Sequence, residues 1–305
     1  MLAIVIPYYN FHFFKETLDS LAYQTNKKFK VYIGNDASKI DPLSLLKQYE
    51  NKFDLVYKKF ENNLGSVSLV KQWERCIEMI GNEEWIQILG DDDVVNPNFV
   101  SAFYDNIEDI KSKNIDVVRF ASRYIDKNNK PLKEYSDFFH PKIELASDSF
   151  FRNFKGNSRS SLSEHIFKRE IYDKCSFFEY PLAWYSDDRA WLDFSNFKNI
   201  YTINDAIVSV RVSEVSITGQ NSNHILKNKA RYLFFKYLIN EKLSHFNRNQ
   251  KIELLLEFGI LLKEQNKVNC KNTLYVAFQL FYIGAFVSML KFIRRMFIAK
   301  FKNSN

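Results

Sequence analysis

The chain has 305 residues, of which 46% are hydrophobic and 26% charged, so it folds as a globular protein with one large domain and an appendage; disorder is excluded. Only 8 Gly are present, which argues against Gly-rich phosphate loops and repeat architectures. The net charge of +7 is uneven: residues 221–305 hold 15 Lys/Arg against 4 Glu and no Asp, and residues 1–220 hold 28 Lys/Arg against 32 Asp/Glu, which predicts an anionic partner for the C-terminal part.

Apolar runs alternate with amphipathic stretches over the first 125 residues. Leu2 to Pro7 reads as a buried strand, and Phe14 to Gln24 as a helix with Phe14, Leu18, Leu21 and Ala22 on one face. Phe29 to Gly34 is a second strand, Pro42 to Tyr49 a helix opened by proline, and Phe53 to Phe60 a third strand. Ser66 to Ile80 is a helix, Trp85 to Leu89 a fourth strand, Pro97 opens another helix, and Asp116 to Tyr124 is a further strand. This order predicts an α/β domain with a mostly parallel sheet, whose ligands bind at the carboxyl ends of the strands. Tyr8-Tyr9-Asn10, Asn35-Asp36 and Asp91-Asp92-Asp93 lie at those ends, so distant loops are expected to converge on one edge.

Beyond residue 130 the pattern is less regular. Leu162 to Phe167 reads as a strand, Asp187 to Phe194 as a helix, Ile200 to Val212 as one or two strands, and Ser213 to Asn223 as a polar loop. The rest is helical. Cys76, Cys175 and Cys270 form no CxxC or zinc spacing and are expected to be reduced, mostly buried thiols. The N-terminus opens directly on a strand, with no basic leader or cleavage site, so a cytoplasmic protein is expected.

Asp91-Asp92-Asp93 is the most informative feature. Three adjacent carboxylates repel one another, and at the end of a buried strand they are costly without a counter-charge. A divalent cation, Mg²⁺ or Mn²⁺, supplies one through hard oxygen ligands; the bland alternative is a solvated acidic turn.

Taken together, four segments resemble family-two glycosyltransferases, inverting enzymes of the GT-A fold. Ile4-Val5-Ile6-Pro7-Tyr8-Tyr9-Asn10 is similar to the family's opening strand and "P-x-Y-N" turn, with Leu21 to Thr25 similar to its "L-x-x-Q-T" helix end. Val31 to Ser38 is similar to "V-V-D-D-x-S". Asn62-Asn63-Leu64-Gly65 with Lys71 to Ile77 resembles "N-x-G … N-W-N-x-C". The Asp triplet with Pro97 resembles "D-x-D-D-x-x-x-P". The resemblance implies a GT-A, Rossmann-like nucleotide-diphospho-sugar transferase domain over residues 1–220, its nucleotide-binding part at about 1–125 and its acceptor part at about 126–220, with a helical, basic extension over 221–305. It implies a nucleotide-sugar site made of Pro7, Tyr8, Tyr9, Asn10, Asp36, Gly65, Gln72, Asp91 and Arg211, with Asp36 accepting from a uracil N3–H. Asp92 and Asp93 are implied as ligands of Mn²⁺ or Mg²⁺, and Asp91 as a ribose or metal contact. Two departures stand out: Gly90 replaces the first Asp of D-x-D, and Gln72 replaces a commoner Asn.

The family's second carboxylate motif is matched by Asp187-Asp188, which implies Asp188 as the general base and Asp187 as the second choice; helix-capping acids are the bland alternative. Arg211 to Thr218 resembles "R-x-H-x-x-S-x-T", with Ser213 in place of His, and the stretch to Asn223 is a candidate lid. Glu164 and His165 are candidates for the acceptor pocket. The expected function is metal-dependent transfer of a sugar from a nucleotide-diphosphate donor, UDP foremost, to a saccharide or lipid-linked saccharide in surface polysaccharide synthesis. An inactive scaffold and a nucleotidyltransferase are the alternatives, though the latter usually has the Gly-rich first loop missing here. From Asn272 through Leu290 no residue is charged, and Lys291, Arg294, Arg295, Lys300 and Lys302 follow. Residues 270–302 are thus expected to meet a membrane surface, at the inner face of the cell membrane. Nucleic acid is not expected, because the basic residues lie beside apolar helices.

Overall fold

The computed structural model describes residues 1–212 and 223–302. Among these, residues 1–179 with 186–212 form one compact unit, and residues 180–185 with 223–302 a second.

The first unit is a sheet flanked by helices. Its strands are β1 (Leu2–Tyr8), β2 (Phe29–Asn35), β3 (Asp54–Lys59), β4 (Trp85–Ile88), β5 (Val94–Val95), β6 (Val117–Ile125), β7 (Ile143–Leu145), β8 (His165–Lys168) and β9 (Asn199–Arg211). Its helices are α1 (Phe14–Ala22), α2 (Leu43–Leu46), α3 (Leu69–Ile77), α4 (Phe99–Asp105), α5 (Ile107–Ser112), α6 (Ala146–Phe154), α7 (Arg169–Cys175) and α8 (Ser186–Phe194). The strand order is β3-β2-β1-β4-β8-β6-β9-β5, with β7 also paired to β9. β1 is apolar at nearly every position because both of its faces are covered: Leu2, Ile4 and Ile6 are fully buried, and so are Ala3 and Val5. Ser68 caps α3 by accepting from the backbone N–H of Lys71, which fixes where that helix starts.

The sheet is mixed rather than mostly parallel. β1 to β4 run parallel, but β8 is antiparallel to both β4 and β6, and β5 and β7 are antiparallel to β9. The reversal comes from the stretch beyond residue 130, where short runs carry too little period to reveal direction. β6 is parallel to β9, with a register shift at Phe120/Ala121 that accommodates extra residues of β9. The expected Pro42–Tyr49 helix shortens to Leu43–Leu46. The thiols also differ from expectation: Cys76 is buried, but Cys175 at the end of α7 and Cys270 are exposed.

One buried polar network holds β6, β7, β9 and α6 together. Arg119 on β6 donates to Glu144 at 2.9 Å and to Thr202 at 3.1 Å, and also to the Ser149 hydroxyl. Arg152 of α6 donates to the same Glu144 carboxylate at 2.6 and 2.7 Å. Removing one partner of a buried pair leaves a charge without compensation. Glu144→Gln is therefore expected to lower stability by about 3–5 kcal/mol in urea unfolding, with Arg119→Met/Glu144→Leu much milder.

The second unit is helical: α9 (His224–Tyr237), α10 (Arg248–Glu264), α11 (Cys270–Tyr282) and α12 (Phe286–Lys302), with Tyr185 stacked on Phe234 at 4.8 Å. The apolar tail is two helices, because Gly284 takes a φ of +71° and breaks the run.

Candidate active site

β6 runs antiparallel to β8, which runs antiparallel to β4, so the carboxyl ends of β1, β2, β4, β6 and β9 share one edge with the start of β8. The expected loops do converge there. Asp91 Oδ2 accepts from the backbone N–H groups of Tyr9 at 2.7 Å and Asn10 at 2.6 Å. The backbone N–H of Asp36 donates to the Tyr8 carbonyl at 2.9 Å, and Ser38 Oγ donates to the Tyr9 carbonyl at 2.6 Å. Pro7 is half-buried at the end of β1 and Tyr9 is exposed.

Several of the expected donor residues also brace this edge. Tyr8 is buried against Phe14, its hydroxyl donates to the Ile40 carbonyl at 2.8 Å, and burial pushes its pKa up to about 12. Gln72 is buried, donates to the Gly34 carbonyl at 3.3 Å and accepts from Arg75 Nε. Asp36 accepts from the N–H groups of Leu64 at 2.7 Å and Gly65 at 2.9 Å and from Arg75, so it pins the 62–65 loop to the end of β2. The approach at Gly65 is close: a Cβ there would lie 2.5 Å from Asp36 Oδ2. A carboxylate offers about four lone-pair sites, so one remains for a further donor. Arg75 lies within a quoted segment, but its role depends on a contact 39 residues away that no spacing announces.

The acidic triplet does not form a three-carboxylate cage. Asp91 turns back to the β1 turn. Asp93 accepts from the Ser163 hydroxyl and, through Oδ1, from the Arg211 backbone N–H at 2.9 Å. Only the Asp92 carboxylate takes no hydrogen bond from another residue among those described. Burial and then repulsion from Asp93 and Asp91 raise its pKa well above the ordinary carboxylate value, and burial pushes Asp91 up to about 6. Gly90 gives these groups room: a Cβ would lie 2.8 Å from Asp93 Oδ2 and 3.2 Å from Asp92 Oδ1, so both oxygens flank one point. Arg211 braces this turn. Its Nε donates to the Asp92 carbonyl at 2.9 Å, its NH1 to the Asp126 carbonyl at 2.7 Å, its NH2 to Asn129, and the guanidinium lies over Phe13. Each guanidinium nitrogen thus already has a partner. Ser213 and the candidate lid lie outside the described residues.

Asp187 and Asp188 stand in the first turn of α8, where the helix end favours negative charge. Trp191 and Phe194 anchor that helix on Phe167, with ring centroids 6.0 and 5.2 Å away. Asp188 Oδ1 accepts from Asn153 Nδ2 at 3.1 Å. Burial, then repulsion from Asp187, raises Asp188 well above the ordinary carboxylate value; Asn153 opposes the rise and Glu164 adds to it. Asp187 is raised to about 6, chiefly by burial. Asp188 lines a small hollow with Ser149, Asn153, Ser160, His165 and Trp191. His165 donates through Nδ1 to the Ser161 carbonyl at 2.7 Å, is stacked on Trp191 at 4.1 Å, and is held neutral because burial depresses its pKa. Glu164 lies behind the hollow, accepting from Ser161 N–H at 2.7 Å and paired with buried Arg159 at 3.3 Å. Asn153, Ser163 and Arg159 had no individual signal in the sequence; they belong to a helix face and a polar loop whose positions only folding sets.

Residues 3–185 match glycosyl transferase family 2. The chain belongs to that family. The nucleotidyltransferase alternative falls with this match, and the protein is a glycosyltransferase. It is 20% identical over 275 residues to an uncharacterized glycosyltransferase of Rickettsia typhi, covering 88% of this chain and 81% of that one. Its fold is similar to that of S. aureus TarS 1–349 in complex with UDP-GlcNAc, with a TM-score of 0.63, 16% identity, and 99% and 92% of the two chains covered. It is also similar to the mannosyltransferase PcManGT of Pyrobaculum calidifontis in complex with GDP-Man and Mn²⁺, with a TM-score of 0.52, 14% identity, and 95% and 86% covered. These likenesses establish the GT-A-type fold of the glycosyltransferase.

Among the described residues no group of three or more His, Cys, Asp or Glu is arranged to hold a metal ion. The donor set nevertheless fits Mg²⁺ or Mn²⁺. Such ions are commonly bound by one or two carboxylates plus substrate phosphates and water, and Asp92 is a half-buried carboxylate whose charge is opposed by burial and by Asp93 and Asp91.

Proposed function

We propose that this glycosyltransferase moves a sugar, with inversion, from a nucleoside-diphosphate donor to an acceptor hydroxyl at the hollow beside Asp188, with a divalent cation at Asp92. One observation carries the reading. Ser160 and His165 line the Asp188 hollow, while Ser163, between them, holds Asp93 and accepts from the Gly90 N–H at 3.0 Å. A single short segment therefore ties the two acidic clusters to one edge of one sheet.

Asp188 would take the acceptor proton as its oxygen attacks the anomeric carbon from the side opposite the diphosphate. Burial and Asp187 raise its pKa above the ordinary carboxylate value, so that once ionised it is a stronger base than an ordinary carboxylate. The neutral His165 adds no competing positive charge beside it. Asp92, with Asp93 held by Ser163 and Arg211, would hold the cation, and a bound Mg²⁺ or Mn²⁺ neutralises charge on the departing diphosphate. The turn of Tyr9 and Asn10, fixed by Asp91, and the free lone pair of Asp36 suit a nucleoside, with uracil as the first candidate. TarS, crystallised with UDP and with UDP-GlcNAc, supports UDP as the first donor nucleotide to test. The acceptor is read as a saccharide or lipid-linked saccharide of a surface polysaccharide, met at the inner face of the cell membrane through residues 270–302.

UDP-, GDP- and TDP-sugars would be incubated with the enzyme with and without Mn²⁺, and the released nucleotide and the product anomer followed by NMR. Inverted product, formed only with metal, is expected. A retained anomer overturns the mechanism, and equal turnover in chelator overturns the cation. Asn153→Ala should shift the acid limb of the kcat–pH profile upward, because it removes a hydrogen bond that favours the charged form of Asp188. An unmoved limb would separate Asn153 from the base.

A further inference from the structure

The helices α11 and α12 present a face that the fold leaves uncovered. Their inner side is satisfied within the second unit: Val276, Ala277 and Leu280 are buried, and so are Phe292 and Met296. Gly259 of α10 makes the approach of α12 possible, since a Cβ there would lie 2.5 Å from the Phe292 ring. The outer side carries Leu274, Phe278, Tyr282, Phe286, Val287 and Leu290, each between 53% and 79% exposed. Leu274, Phe278 and Tyr282 follow i, i+4 spacing, which makes a continuous stripe and not scattered single residues.

The hairpin is built before any partner arrives. Arg248 of α10 donates to the carbonyls of Ile283 at 3.0 Å and Gly284 at 3.0 Å, satisfying the C-terminal end of α11. The rings of Phe281 and Phe286 meet across the turn at 5.4 Å. With 13 residues in α11 and 17 in α12, the helices are about 20 and 26 Å long, short of a hydrocarbon core of about 30 Å. No helix among the described residues is long and apolar enough to cross a membrane.

Charge decides what covers the face. Residues 270–302 hold Lys271, Lys291, Arg294, Arg295, Lys300 and Lys302, and no Asp or Glu. A second copy would bring like charges together, whereas an anionic lipid surface attracts them. We infer that α11 and α12 form an interfacial hairpin that lies in the headgroup region of an anionic bilayer, its apolar stripe inserted and its cations on the lipid phosphates, without spanning. This deepens the membrane-surface reading and rests on it.

The test is co-sedimentation of the full chain with vesicles of phosphatidylcholine alone or mixed with phosphatidylglycerol. Binding to the anionic vesicles only is expected. Leu274→Ser/Phe278→Ser, and separately Lys291→Glu/Arg294→Glu/Arg295→Glu, should each cut the partition coefficient by at least about tenfold, because each surface cation and each inserted apolar group contributes a comparable increment. All five positions are exposed, and an unchanged melting temperature would show that both variants fold. Wild-type protein that stays in solution with both vesicles overturns the inference, as does charge-reversed protein that binds like the parent. Concentration-dependent dimers dispersed by the Ser substitutions would assign the face to a second copy instead. Equal binding to both vesicle types would keep the membrane-surface reading and overturn only the anionic-headgroup inference, so the two outcomes stay distinct.

Discussion

Replacing Asp188 by Asn should slow sugar transfer by at least about 100-fold and, at neutral pH, raise the melting temperature. The two effects have one origin. Burial and repulsion from Asp187 hold Asp188 in a state that resists ionisation, with its pKa well above the ordinary 3.8. A group raised in this way contributes stability that is fully present below its unfolded value. That contribution is lost as pH rises through the folded value. Asn imitates the protonated form, so the melting-temperature gain should be largest above the raised pKa and vanish toward pH 4. The same substitution removes the carboxylate that lines the hollow beside Asn153 and is proposed to take the acceptor's proton. Melting curves across pH, together with initial rates, check both halves. Near-normal turnover in Asp188→Asn would remove Asp188 as the base, whatever its stability.

Asp92→Ala should abolish cation-dependent stabilisation by nucleoside diphosphates. At a ligand concentration 100-fold above Kd, binding adds about 2.7 kcal/mol, which for a domain of this size is a shift of roughly 5–10 °C. The parent should show that shift with UDP and Mn²⁺ and a much smaller one in chelator. The variant should show the small shift in both. Asp92 is singled out because its neighbours are already engaged: Asp91 by the Tyr9 and Asn10 N–H groups, and Asp93 by Ser163 and Arg211. A variant that keeps the full metal-dependent shift would move the cation elsewhere. A metal-dependent shift with GDP or TDP in place of UDP would keep the enzyme class and change the donor.

Together these expectations describe a site that trades stability for chemistry. Folding brings two carboxylate clusters to one sheet edge and leaves each short of positive charge. Arg211 offsets part of this at the triplet, where its side chain reaches the Asp92 carbonyl, and Arg159 is paired with Glu164. The residual deficit at Asp92 suits a cation, and the deficit at Asp188 suits a proton in transit.

The α/β class, the strands β1 to β4, and the convergence of Tyr9-Asn10, Asp36 and Asp91-Asp92-Asp93 were legible from residue order alone. Local period and apolar runs fix strands, and a parallel sheet must place their carboxyl ends together. Residue order also located Asp187-Asp188 at the head of a helix and the apolar, basic tail. The partners of the individual side chains became visible only in the folded chain. Tyr8, Gln72 and Arg211 each hydrogen-bond a carbonyl or side chain of their own chain, contacts that spacing does not announce. The antiparallel entry of β8 carries Ser160, Ser163 and His165 to the edge, and no periodicity announces that reversal. Asn153 meets Asp188 across 35 residues, and Gly284 splits the apolar tail into a hairpin. The physical reason is common to all of these. Spacing along a chain fixes local backbone geometry, but a hydrogen-bond partner, a burial penalty or a shifted pKa is set by atoms that are near only after folding.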